Sequence, residues 1–508
     1  VTATFSEAVA AASVSPLTYS LSAGALPVNG LLTVSGPVVT FTPSPPLAPG
    51  TQFTARLAVG ITDLAGNALA APFTWIFTTE AAPWPGTRQL GTPTPDSGNS
   101  VATDRAGNVY VAGITSEDLD GAGGDPLFGG VDLFLAKFGP AGNLLFTRQL
   151  GTVSTDEATG VAVDGVGNVY VAGSTSGDLD GVGGDPLFGG VDLFLAKFNP
   201  AGNLLFTRQL GTVSTDEATG VAVDGVGNVY VAGSTNGDLD GAGGDPVLGG
   251  TDFFLAKFDA SGNLLFTRQL GTTATDDDAR GVAVDGTGNV YVAGSTNGDL
   301  DGVGGDPVLG GTDFFLAKFD ASGNLLFTRQ LGTTATDDDA RGVAVDGTGN
   351  VYVTGSTQGD LDGTGVGDPL LGGTDFFLAK FDPDGSFLGT RQLGTTATDD
   401  ANGVSVDDAG NVYVAGSTNG DLDGSGGDPL SGGVDLFLVK FDPAGNLLFT
   451  RQLGTVPADE AFGVAAAGLS VGGNVFVTGE TLGGLDGNPS AGDFDLFLAK
   501  FDPFGVLQ

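Results

Sequence analysis

The sequence contains no cysteine, no histidine and no methionine. Without histidine or cysteine there can be no Ser-His-Asp triad, no thiol nucleophile, no histidine proton shuttle and no zinc site of the ordinary nitrogen-and-sulfur kind. Disulfides are excluded too, but many secreted bacterial proteins also avoid thiols, so this absence does not fix the compartment. Without methionine, Val1 is not a translation start, and the expectation is a fragment or processed form with any secretion signal upstream. Positive charge is scarce. Lys and Arg total 18 against 60 Asp and Glu, a formal net charge of -42. Such a field repels DNA, RNA and anionic membrane surfaces, which bind through clustered cations, and it attracts cations. No apolar run approaches the ~18 residues needed to cross a bilayer, and no segment carries a sustained helical period.

What the chain does contain is apolar residue and glycine. Hydrophobic residues make up 41% of the 508, enough to fill a large core, so wholesale disorder is not expected. The 89 glycines and 25 prolines follow no Gly-X-Y period, which excludes collagen and points to many tight turns. The tetrapeptide Thr-Arg-Gln-Leu recurs with its arginine at 88, 148, 208, 268, 329, 391 and 451, at spacings of 60 to 62 residues. The seven lysines, Lys137, Lys197, Lys257, Lys318, Lys380, Lys440 and Lys500, keep the same period.

One unit reads as four strands: Gly160-Val-Ala-Val-Asp164, Asn168-Val-Tyr-Val-Ala-Gly173, Asp192-Leu-Phe-Leu-Ala-Lys-Phe198 and Asn203-Leu-Leu-Phe-Thr-Arg-Gln-Leu210. They are rich in Val, Phe, Tyr and Leu and are bracketed by Gly, Pro, Asn and Asp. Several are apolar on both faces, as expected when each sheet is sandwiched between two others. Four strands per ~60 residues, seven times over, predicts an all-β, seven-bladed β-propeller over residues 83–508. The seventh unit ends at Gln508 without its Thr-Arg-Gln-Leu strand, while a spare copy sits at 87–90. A strand at 84–92 is therefore expected to complete the last blade and close the ring, leaving no long unpaired edge there.

The units, with Gly-Asn-Val-Tyr-Val-Ala-Gly-Ser-Thr and Asp-Leu-Phe-Leu-Ala-Lys-Phe-Asn-Pro-Ala-Gly-Asn, resemble the bacterial SBBP-type β-propeller repeat. That resemblance spans about residues 84–508 and implies extracellular or surface-associated proteins without one shared activity. Residues 1–82 alternate as a small sandwich, at 31–34, 38–41, 53–57 and 73–77. With Thr42-Pro-Ser-Pro-Pro-Leu-Ala-Pro-Gly50 and Thr62-Asp-Leu-Ala-Gly-Asn67, they resemble the bacterial Ig-like domain of S-layer-type proteins. That domain usually opens with a further strand, so an N-terminally truncated copy is expected.

Chemistry, if any, belongs to the loops. In a four-stranded blade the second-to-third and fourth-to-first connections share one face, and here both are long and acidic. The longer carries three aspartates per copy: Asp118, Asp120 and Asp125; Asp178, Asp180 and Asp185; Asp238, Asp240 and Asp245; Asp299, Asp301 and Asp306; Asp360, Asp362 and Asp368; Asp421, Asp423 and Asp428. Hard cations such as Ca²⁺ take six to eight oxygens, which Asp-x-Asp-Gly loops can supply as carboxylates and turn carbonyls. The pattern is not an EF-hand, since the glycine comes too early and no glutamate follows at the twelfth position. The competing reading is that Asp-Gly is a turn former whose carboxylates cap their own backbone. The seventh copy departs from the pattern at Asp486.

The shorter acidic loop, Thr155-Asp156-Glu157, becomes Asp276-Asp-Asp278 and Asp337-Asp-Asp339. It reads as solvated and partly neutralised by Arg280 and Arg341. The periodic lysines and arginines read as structural, their heads reaching carboxylates at the blade edge.

The function expected is a secreted or cell-surface binding and structural module. It would present an acidic, Ca²⁺-loaded face to a carbohydrate or protein partner, with no nucleic acid, no membrane span and no catalytic residue. The alternatives are a carboxylate-based glycosidase or polysaccharide lyase, which needs neither His nor Cys, and a ligand-free architectural spacer. Residues specific to single blades and gathered in the central channel would favour an enzyme; uniform loops argue against one.

Overall fold

The computed structural model describes residues 1–23, 26–44, 47, 52–78, 84, 86–119, 130–179, 190–239, 250–272, 276–300, 311–333, 337–361, 373–422, 433–468 and 472–508. Two compact units, Val1–Trp84 and Pro85–Gln508, make up the chain. No α-helix occurs among the described residues, and hence none long and apolar enough to cross a membrane.

The first unit holds two antiparallel sheets. One runs Thr2–Thr4, Val38–Pro43, Gly30–Ser35, and the other Leu26–Pro27, Tyr19–Ala23, Gln52–Leu57, Phe73–Thr78. Their alternation makes the core. In Gln52–Leu57, Phe53, Ala55 and Leu57 point inward against Tyr19, Leu21, Val39 and Phe41, while Gln52 and Arg56 face out.

The second unit repeats a four-stranded antiparallel sheet, present in seven copies among the described residues. In the second copy the strands are Asp156–Val163, Val169–Thr175, Asp192–Phe198 and Leu204–Leu210, in that order across the sheet. All seven residues of Asp192–Phe198 are buried, whereas Leu204–Leu210 shows its first two to solvent. A third strand apolar on both faces is what sheet-on-sheet stacking needs. Tyr110, Ala112, Leu133 and Leu135 of one copy meet Val169, Val171, Phe194 and Ala196 of the next in a shared cluster.

The last copy is made of Asp459–Ala466, Val475–Thr481 and Asp495–Phe501, completed by Arg88–Leu90 from the beginning of the unit. Leu90, Gln89 and Arg88 pair with Leu496, Phe497 and Leu498, as the displaced repeat required. Each first strand lies against the next, and Asp459–Ala466 lies against Asp96–Thr103.

The periodic cations hold successive sheets together by hydrogen bonds to turn carbonyls, where blade-edge carboxylates were expected; a carboxylate such as Asp104 acts on Lys137 through its charge. Lys197 Nζ donates to Ala260 O at 2.7 Å, and Arg208 Nε donates to Gly262 O at 2.9 Å, both in the third-to-fourth turn of the following sheet. The Lys197 ammonium also lies 4.9 Å from the Tyr170 ring centre, and the Arg208 guanidinium 5.0 Å from that of Phe206. Turn carbonyls left over from the ladder are the available acceptors, and these long side chains reach them. Arg88 Nε donates to Gly142 O at 2.6 Å, so the stitch also joins the last sheet to the first.

Candidate loop face and channel mouth

The end of each sheet that meets the long loops carries a buried row of polar residues. In the second copy Asp156 pairs with Thr175, and Thr175 with Asp192. All three are wholly buried. Asp156 Oδ1 accepts from the Thr175 hydroxyl, and Oδ2 accepts from Thr152 N at 2.6 Å and Thr152 Oγ1 at 2.8 Å. Asp192 Oδ2 accepts from Gln209 Nε2 at 2.9 Å. Burial pushes the equivalent carboxyls Asp216, Asp277, Asp338, Asp399 and Asp459 above the ordinary aspartate range, against the pull of their hydroxyl and backbone donors.

This corrects the solvated-loop reading of Thr155-Asp156-Glu157. The first strand begins at Asp156, four residues earlier than its apolar run suggested. The repetition of Asp at 96, 156, 216, 277, 338, 399 and 459 was the available signal.

The triple-aspartate loops follow the second strands. Asp118, Asp178, Asp238, Asp299 and Asp360 are half-buried and Asp421 is exposed. The leucine after each helps fix the loop's start: Leu119, Leu179, Leu239 and Leu361 are buried, and Leu179 N donates to Gln209 Oε1 at 3.4 Å. Asp120, Asp125, Asp180, Asp185, Asp240, Asp245, Asp301, Asp306, Asp362, Asp368, Asp423 and Asp428 lie outside the described residues. Among the described residues no three carboxylates come close enough together to hold one metal ion. In the divergent seventh loop Asp486 has a structural task, since its Oδ2 accepts from Thr87 N at 3.1 Å on the closing strand.

Sequence reasoning missed the bulge. In every first strand the register with the second slips at one place, and in the second copy Ala158 pairs with Gly173 while Gly160 pairs with Ala172. Thr159 is the extra residue. Its counterparts are Asn99, Thr219, Arg280, Arg341, Asn402 and Phe462. A glycine faces each bulge because a Cβ on Gly173 would collide with Glu157 O.

Asn99, Thr159, Thr219, Asn402 and Phe462 line the channel where the first strands meet, and Arg280 and Arg341 line the concavity at its mouth. Two positions earlier stand Glu157, Glu217, Asp278, Asp339, Asp400 and Glu460, with Ser97 in the first copy. Desolvation, then Glu217, raises Glu157; desolvation, then Asp400, raises Glu460 against the pull of Arg341. The two arginines divide their roles. Arg280 lowers Asp278 of its own triplet, as expected, although burial still leaves that carboxyl raised. Arg341 instead reaches the next sheet, 3.7 Å from Asp400 and 2.9 Å from Asn402 Oδ1.

The opposite face carries tight turns, most of them built on one pattern, with the seventh first-to-second connection, from Ala467 to Asn474, departing from it. Asp164 Oδ1 accepts from Val166 N and Asn168 N at 3.0 and 2.8 Å, and Oδ2 accepts from Asn168 Nδ2 at 2.7 Å.

Residues 1–79 match the bacterial Ig-like domain family. The β-propeller repeat family matches at 86–120, 145–180, 205–240, 265–301, 326–362 and 389–423. Among curated proteins, the regulatory protein FlaEY of Caulobacter vibrioides is 29% identical over 466 residues, covering 82% of this chain and 44% of that protein. An uncharacterized WD repeat-containing protein of Acanthamoeba polyphaga mimivirus is 21% identical, covering 74% of this chain and 35% of its own length. The chain thus spans less than half the length of either relative. Of solved structures, streptogramin B lyase matches at a TM-score of 0.44 and 10% identity, over 84% of this chain and all of its own. Hydrazine synthase of Kuenenia stuttgartiensis matches at 0.42 and 12%, over 76% and 94%.

Proposed function

We propose, from the premise that this chain is a β-propeller repeat protein with a bacterial Ig-like domain at residues 1–79, that it is an extracellular binding and structural module. Its repeats form a closed seven-bladed ring whose loop-rich face takes a carbohydrate or protein partner at the cell surface, with Ca²⁺ held among the aspartate loops. The observation that carries this reading is the inequality of the two faces. One carries tight turns, nearly identical in most sheets and sealed by their own hydrogen bonds. The other is the end of the sheets from which the long acidic connections leave, and it carries the six carboxylates and the variable bulge residues.

The donor set is entirely oxygen, since the chain offers no thiol and no imidazole, and it therefore suits a hard cation. Bound Ca²⁺ would relieve the repulsion among three carboxylates per loop and order the face. A carboxylate-based glycosidase is the second reading, favoured by the bulge residues that differ between blades at the channel mouth.

The test is Ca²⁺ titration by calorimetry into the chelator-treated chain, with a thermal melt at each end point. It is paired with co-sedimentation on insoluble polysaccharides, with Ca²⁺ or chelator present. Several equivalents bound, a raised Tm and Ca²⁺-dependent pelleting are expected. Release of reducing ends in the same samples would favour the glycosidase. No Ca²⁺ binding and no pelleting would leave a ligand-free spacer.

A further inference from the structure

The bulge residue has a structural task in four of the seven sheets. Asn99 Nδ2 donates to Ala158 O at 2.9 Å, Thr159 Oγ1 to Ala218 O at 2.7 Å, Thr219 Oγ1 to Ala279 O at 2.8 Å and Asn402 Nδ2 to Ala461 O at 2.8 Å. Each donor ties its first strand to the bulge of the next. In the other three sheets this bond is given up. Phe462 has no donor to offer. Arg341 turns to the side chain of Asn402, and Arg280 is exposed and makes no hydrogen bond among the described residues. Giving up a donor to a buried carbonyl costs about 1–3 kcal/mol where nothing replaces it, so bonding between the sheets does not account for Arg280, Arg341 and Phe462. Arg280 and Arg341 lie in near-identical repeats and represent one change copied; Phe462 is a separate one.

All three line one cavity of about 320 Å³ at the channel mouth, together with Asp400, Asn402 and Glu460. Its size falls at the lower end of small-ligand pockets, about 300–1,000 Å³.

The lining selects a ligand class. A metal ion is disfavoured because no three described carboxylates converge. The ring of six carboxylates and the net charge of -42 oppose an anion. Two guanidinium groups within the cavity itself oppose a cation. What remains is a neutral molecule able to use donors and acceptors side by side. Hydroxyl groups both donate and accept, so a polyol can bridge an arginine and a neighbouring carboxylate. Phe462 adds an apolar ring against which C–H groups can lie.

We infer that the mouth of the central channel is a binding site for a neutral sugar unit, free or at the end of a glycan, with Arg280, Arg341, Asp400, Asn402 and Glu460 on its hydroxyls and Phe462 on its ring. The inference rests on the reading that this face binds a partner, and names the site and the chemistry.

The test uses the full chain and saturation-transfer NMR with the methyl glycosides of glucose, galactose, mannose and N-acetylglucosamine, alongside glucuronic acid. Arg280→Ala and Phe462→Leu are compared with Arg105→Ala, whose guanidinium donates to Gly165 O among the turns of the opposite face. At least one neutral glycoside should show transfer to its ring hydrogens, about tenfold weaker in affinity for Arg280→Ala and unchanged for Arg105→Ala. Phe462→Leu should reduce transfer to one face of the sugar ring while Tm holds. Transfer to glucuronic acid alone, no transfer to any glycoside, or transfer indifferent to both channel variants would overturn the assignment. Polysaccharide pelleting retained by both channel variants would place the failure in this inference and leave the loop-face reading standing. Pelleting lost from the wild-type chain would remove that reading as well.

Discussion

Asp216, Asp277, Asp338, Asp399 and Asp459 are buried carboxylates held by a threonine on either side, and their protonation ties stability to pH. Burial raises Asp216, Asp277, Asp338, Asp399 and Asp459 above the unperturbed value of 3.8. The folded chain therefore binds these protons more readily than the unfolded chain, and each group weakens the fold once it ionises. Lowering the pH through their folded values toward 3.8 restores that stability. The turn aspartates Asp259, Asp320 and Asp442 act in the opposite sense. Hydrogen bonds from Asn263, Asn324 and Asn446 hold them below 3.8, so their contribution is lost only as pH falls through those lower values. Relief of repulsion within a chain of net charge -42 adds to the first effect. Tm should therefore rise as the pH is lowered from neutral toward 3.8 and drop only below that value. A Tm that falls steadily from neutral pH, followed by circular dichroism in a pH series, would contradict the assignment of the buried row. These aspartates escaped the sequence reading because Asp and Glu ordinarily signal solvent, and only their unbroken sevenfold repetition said otherwise.

At the level of the strand, alternation and turn residues made the second, third and fourth strands legible to within a residue or two. The first strand was not, because its bulge breaks the period of two just where polar residues begin. A bulge is a two-against-one count between partners, and one strand's sequence does not show its partner's register. Glycine in the Gln-Leu-Gly-Thr segment carries a constraint of the same hidden kind. A Cβ on Gly211 would fall on Asp192 Oδ1 and Cγ, a carboxylate fixed by the Gln209 amide. Gly211→Ala should therefore cost about 2 kcal/mol or more, because the buried carboxylate cannot swing away without losing its donor. Gly225→Ala is the control, as its Cβ would meet nothing within 4 Å. Urea unfolding of both variants measures the difference, and equal midpoints would show that the close approach is not tight.

For the second unit as a whole, the period of 60 to 62 residues and the displaced Thr-Arg-Gln-Leu were enough to expect closure, because an unpaired last edge would have been the alternative. The channel mouth was not legible, since it exists only when seven first strands meet. Closure makes a prediction that an open stack of sheets does not share. Gln89 Nε2 donates to Gly483 O at 2.9 Å and Asp495 Oδ2 at 2.7 Å, and its Oε1 accepts from Leu485 N at 3.1 Å. Gln209 makes the same three bonds within the second sheet, to Gly177 O, Asp192 Oδ2 and Leu179 N. In an open stack the sheet holding Gln89 is a terminus, so Gln89→Ala would loosen that end alone and split off an early, partial transition. In a closed ring no sheet is terminal. Gln89→Ala and Gln209→Ala should then lower the same cooperative unfolding of the repeats by similar amounts, about 1–3 kcal/mol, because each removes one amide donor from a buried carboxylate and the acceptor of a backbone amide. Calorimetric scans of the two variants decide between these outcomes. A separate low-temperature transition in Gln89→Ala, absent from Gln209→Ala, would mean that pairing of Arg88–Leu90 with Asp495–Phe501 does not hold the ring shut in solution.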